Sequence, residues 1–120
     1  MSWGKSLIID CYGCNPTAIR SSTIIRKFVK ELVEVIDMQA YGEPQIIHFG
    51  SGNKEGYTLV QLIETSNITA HFANDSNAAF FDVFSCKDFS EETVMAIIDK
   101  YFGSADFTVQ FGIIERGEKI

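Results

Sequence analysis

The stretch Tyr57-Thr58-Leu59-Val60-Gln61-Leu62-Ile63-Glu64-Thr65-Ser66-Asn67-Ile68-Thr69-Ala70-His71-Phe72 decides the fold. Two runs rich in branched and aromatic residues, 57–63 and 67–72, flank a short polar break and predict two strands joined by a turn. Outward from them, Gln45–Phe49 is a further strand candidate, separated by the turn-forming cluster Gly50–Gly56. Ala78–Ser85 is another. At the amino-terminal side, the apolar run Ser6–Tyr12 ends at Gly13 and predicts a buried strand. Phe107–Ile114 alternates well enough to be the last strand.

Two helices complete the pattern. Asn15-Pro16 signals a turn or a helix start, and Ser21 or Ser22 can cap the helical run after it. Ile25, Phe28, Val29, Leu32, Val33 and Ile36 recur at helical steps, with Arg26, Lys27, Lys30 and Glu31 turned outward. Ser90 with Glu91 and Glu92 starts a second helix, whose buried stripe is Val94, Ile97, Ile98, Tyr101 and Phe102, closed by Gly103. Six short strands and two one-sided helices imply an α+β, two-layer α/β sandwich: a mainly antiparallel sheet with two helices on one face. The chain has 120 residues and 46% hydrophobic content, which suits a single domain over 1–120.

Composition narrows the function. No run approaches the roughly 18 apolar residues of a membrane span, and no basic-then-apolar leader opens the sequence, so a cytoplasmic location is expected. A formal charge of −6 disfavours nucleic acid as a partner and mildly favours a cationic substrate. Three cysteines do not suggest a disulfide framework. Cys11 and Cys14 form a C-x-x-C without a second Cys or His pair, so no metal site is expected and two small buried side chains are the simpler reading. The sheet's second face, with Phe-rich segments such as Ala79-Phe80-Phe81, is poorly suited to water, and pairing across a twofold axis favours a homodimer.

Ser66, His71 five residues on, Cys86 in Asp82-Val83-Phe84-Ser85-Cys86, and the opening Gly4-Lys5-Ser6-Leu7-Ile8-Ile9-Asp10-Cys11-Tyr12-Gly13-Cys14 together resemble the small prokaryotic S-adenosylmethionine decarboxylases. Each residue alone is more simply a turn serine, an edge histidine or a small buried thiol. Their joint spacing carries the resemblance. It implies a dimer of two-layer protomers whose cofactor is a covalent pyruvoyl group (pyruvate derived from Ser66), formed by self-cleavage between Thr65 and Ser66. Such a ketone forms a Schiff base with the substrate amine and delocalises the electrons left by decarboxylation.

The resemblance also assigns roles. His71 matches the histidine that assists elimination, and Thr58 falls where the family carries a serine. Cys86 matches the proton donor to the substrate carbon. Phe49 is similar to the aromatic that stacks on adenine, and Asp75 falls where a glutamate contacts the ribose hydroxyls. The chain departs from the family in Thr65 before the serine (usually glutamate), Asn67 after it (usually histidine), and Ala73-Asn74-Asp75 in place of Trp-Pro-Glu. Three readings therefore stand: decarboxylation of S-adenosylmethionine for polyamine (spermidine) synthesis, the same chemistry on ornithine or arginine, or an unprocessed ligand-binding or regulatory paralogue.

Overall fold

A computed structural model describes residues 2–117. The elements run β1 (Gly4–Tyr12), α1 (Pro16–Ile19), α2 (Ser22–Val35), β2 (Gln45–Phe49), a single 3-10 turn (Gly52–Lys54), β3 (Gly56–Ile63), β4 (Ser66–Ala73), β5 (Ala78–Ser85), α3 (Glu91–Phe102) and β6 (Thr108–Arg116). The six strands form one sheet in the order β2-β3-β4-β5-β1-β6, with every neighbouring pair antiparallel. This is the α+β two-layer sandwich expected from the pattern, with the helices on one face.

The local signals act as the sequence suggests, with one addition. Ser21 accepts a hydrogen bond from the Ile24 amide, and Ser90 accepts one from that of Thr93. The Asn15-Pro16 signal builds a short helix instead of a bare turn: Asn15 accepts from the amides of Thr17 and Ala18, with Pro16 in the first turn. This α1 buries Ala18 and Ile19 and is the third helix that periodicity alone did not separate from the second.

The period of two sorts each strand's residues between the faces. Leu7, Ile9, Leu59, Ile68, Ala70, Phe81 and Val83 point inward and are at most 1% exposed. Against them pack Phe28, Leu32, Val94 and Phe102, with Phe28 edge-on to Phe81 and Phe102 at centroid distances of 5.5 and 5.0 Å. Cys11 and Cys14 belong to this core, where burial pushes their thiols up to about 12 and about 11.

Among the described residues, no helix covers the other face. There the paired rows carry Ile8, Tyr12, Leu62, Phe80 and Ile114, all exposed, among Asp10, Asn67, Thr69 and Asp82. Beyond the reach of the helices, β6 also leaves the inward-phased Phe111 and Ile113 exposed. No helix among the described residues is long and apolar enough to cross a membrane.

Candidate functional site

The β3–β4 hairpin carries candidate residues at both ends. At its open end Thr58 and His71 are directly paired across the ladder. Both point to the helix-free face, and Thr58 Oγ1 lies 3.1 Å from His71 Nδ1. Closeness in a paired position follows from antiparallel geometry, which brings opposite side chains within contact. With Nδ1 engaged by the hydroxyl, the ring can exchange a proton at Nε2.

Around this pair lies a cleft of about 970 Å³, lined by Phe49, Lys54, Thr58, His71, Asp75 and Phe80 among others. Phe49 ends β2 and is 54% exposed, so its ring is available to a ligand. Gly56, paired with Phe49, has no room for a side chain: a Cβ there would lie 1.6 Å from the Phe72 carbonyl oxygen. The glycine thus lets β3 close on β4 where the cleft begins. Asp75 sits in the turn after β4, and the Arg20 guanidinium donates to the Asn74 carbonyl and to the Asn77 side chain on either side of it. Two aromatic rings, a carboxylate and a hydroxyl–imidazole pair suit a ligand with a flat ring and a polyol edge.

The closed end of the hairpin is the turn Glu64-Thr65. Thr65 has φ 58°, the left-handed region that a β-branched residue rarely enters, at a cost of about 1–3 kcal/mol. Ser66 begins β4 and is largely buried, its Oγ accepting from the Cys86 backbone N–H at 3.2 Å. Cys86 leaves β5 and is exposed, its Sγ 2.7 Å from Thr65 Oγ1. Thr65 Oγ1 spends its one proton on the Glu64 carbonyl, at 2.6 Å. The thiol is then the donor in the sulfur contact, and its proton points at the turn. On the other flank, Glu64 N–H donates to the Gln39 carbonyl and Tyr41 N–H to that of Leu62, fixing the turn from the side.

Thr65, Ser66 and Cys86 therefore meet at one end, and Thr58, His71, Phe49 and Asp75 at the other. The structure does not bring the two groups together within one chain. Five residues separate Ser66 from His71, roughly 16 Å along a strand, and an odd offset places their side chains on opposite faces. Phe80 and Lys54 line the cleft without having been singled out from the sequence. Phe80 was legible in principle: it pairs with His71 and shares its phase, opposite to the buried Phe81. Lys54 had no such signal, since only the fold of the glycine-rich segment turns it to the cleft.

A family model described as S-adenosylmethionine decarboxylase matches residues 5–117. Among curated proteins, the chain is 32% identical over 85 residues to an S-adenosylmethionine decarboxylase proenzyme of Hydrogenobaculum sp.. That alignment takes in 71% of this chain and 60% of the relative's own length. Among solved structures, the fold is similar to the crystal structure of the adenosylmethionine decarboxylase from Aquifex aeolicus, with a TM-score of 0.82 and 22% identity over 99% of this chain and 94% of the other.

Proposed function

The chain belongs to the S-adenosylmethionine decarboxylase family, and from that premise we propose that it cleaves itself between Thr65 and Ser66 and then decarboxylates S-adenosylmethionine. The product would be the aminopropyl donor of spermidine synthesis. The observation that carries the reading is Thr65 itself, a β-branched residue held at φ 58° with Ser66 Oγ and Cys86 gathered around it. A strained peptide beside a serine hydroxyl is the arrangement an internal acyl shift requires. The name of the Hydrogenobaculum relative, a proenzyme, supports it.

In this reading Ser66 Oγ attacks the Thr65 carbonyl, turning the amide into an ester. His71 takes the Ser66 α-proton, elimination frees the carboxylate of Thr65, and the dehydroalanine left at position 66 takes up water and releases ammonia to leave a ketone. A pyruvoyl group derived from Ser66 supplies a ketone that takes up the substrate amine and accepts the electrons left when carbon dioxide departs. The residues present fit such a group: the Ser66 position is shielded from water, and the Cys86 N–H already points at its oxygen. Cys86 holds the proton that the substrate carbon then needs. Phe49 and Phe80 sandwich a purine, worth on the order of 1–3 kcal/mol per stacked base, and Asp75 accepts from the ribose diol.

His71 can serve the Ser66 position only if a second copy of the chain brings its cleft to this chain's turn. The helix-free face with its exposed Ile8, Leu62, Phe80 and Ile114 is the surface that a twofold axis would cover. The homodimer expected from the sequence thereby becomes part of the site.

Intact-mass measurement tests the maturation. Two fragments parted at Thr65–Ser66 are expected, and a chain that stays whole on prolonged incubation would sink the enzyme reading. Mixing tests the sharing. Ser66→Ala and His71→Ala chains, each uncut alone, should yield a cleaved His71→Ala chain when co-expressed. Higher kcat/KM on ornithine or arginine than on S-adenosylmethionine would overturn the substrate.

A further inference from the structure

We propose that Lys5 is a positioning residue for Cys86, tying down the segment that carries the thiol so that it stays on the Thr65–Ser66 turn. Lys5 is a lysine on β1 with only 11% of its side chain exposed. Its Nζ donates to the Phe89 carbonyl at 2.6 Å, and reaches Glu91 Oε2 at 2.9 Å and Asp88 Oδ1 at 3.0 Å. It also lies 4.5 Å from the centre of the Phe89 ring. All four contacts fall on residues 88–91, immediately after Cys86. A largely buried ammonium that donates to a buried carbonyl and to the half-buried Glu91 fixes a loop better than an exposed pair does, and the exposed Asp88 adds less.

The backbone alongside acts in the same direction. Lys5 pairs with Ser85 in the β1–β5 register. At Gly4 a Cβ would lie 2.4 Å from the Ser85 carbonyl oxygen and 2.9 Å from the Cys86 Cα, so β1 presses on the point where Cys86 leaves the sheet. Gly4 sets the exit, and Lys5 holds residues 88–91 beyond it. Nearer the thiol, the buried Ser85 hydroxyl donates to the Lys87 carbonyl and accepts from its N–H, and the Cys86 N–H donates to Ser66 Oγ, while the ion pair of Lys87 with Asp37 at 2.8 Å joins two exposed side chains and is weaker than that of Lys5 with Glu91. Burial works to lower the Lys5 pKa, yet the carboxylates of Glu91 and Asp88 leave it above its ordinary value, so the tether stays charged.

The inference deepens the proposed function by resting on Cys86 as proton donor, but its first test does not need turnover. Alkylation of Cys86 by iodoacetamide, mapped by mass, reads the thiol directly, since Cys11 and Cys14 are buried. Lys5→Met should speed it on the order of tenfold, matching the loss of a charged hydrogen bond. The double variant Asp88→Asn, Glu91→Gln should do the same from the loop side and covers the case in which Lys5→Met does not fold. In the processed enzyme both should lower kcat with KM unchanged, because Lys5 and its partners touch none of the residues proposed to bind substrate. An unchanged alkylation rate in the folded variants, or a raised KM with kcat intact, would overturn the proposal. An uncut wild-type chain would instead defeat the proposed function and leave the alkylation result to stand by itself.

Discussion

At one end of the β3–β4 hairpin, Thr58 and His71 meet because antiparallel pairing puts them opposite each other. At the other, Thr65 and Ser66 sit in a turn whose backbone a threonine avoids, flanked by a cysteine from a third strand. The first cluster needs nothing beyond strand register and a free sheet face. The second depends on close approach at Gly4, a buried lysine and a neighbouring loop that fixes Glu64. In the proposed reading the strained turn holds the bond that breaks, while the paired surface offers a ligand its rings and supplies the base His71.

Substitutions at the two ends should therefore differ in kind, and the largest effect belongs to the turn. Ser66→Ala should leave the chain whole indefinitely on a denaturing gel, and Thr65→Gly, which removes the backbone strain, should slow cleavage while leaving it detectable. Cys86→Ala should still be cleaved and lose roughly 10²–10⁴-fold in kcat, the usual worth of a positioned acid. Full activity of that variant over many turnovers would end its assignment as proton donor. At the cleft, Phe49→Ala should raise KM for S-adenosylmethionine about tenfold, as expected for one lost stacking contact. It should spare self-cleavage, and an equal loss of both would show that the two ends are not separable.

The smallest effect is one of pH. Hydrogen bonds from Lys5 hold the carboxyls of Glu91 and Asp88 below the usual range, so their contribution is present above that range and disappears as pH falls through the depressed values. Lys5, raised, contributes below the ordinary lysine range and loses that contribution only as pH climbs past its higher value. The difference in Tm between wild type and Lys5→Met should be flat from about pH 5 to 9 and shrink below about pH 4. A difference that grows in acid would contradict the tether.

Much of this was legible in the chain. The alternation of 57–63, 67–72 and 78–85 yields the strands and the phase that Thr58, His71 and Phe80 share, because the period of a strand is a local property. Helix starts at Ser21 and Ser90 were equally local, being set by a side chain and an amide three residues on. Less legible was Asn15-Pro16, where a cap and a proline are compatible with a turn or a helix until Ala18 and Ile19 find a core to bury in.

Element order, the buried and open faces of each strand, and the residue types at both ends of the hairpin can all be read along the chain. They come from periodicity, capping and turn chemistry, which act over a few residues. Only the assembled fold carries Cys86 to Thr65 from β5 and lets Lys5 reach the segment after it. These depend on register between strands distant in the chain and on which long side chain finds acceptors when water is excluded. No local pattern encodes that outcome, because the same lysine would be an ordinary solvated charge on any strand without Asp88, Phe89 and Glu91 above it.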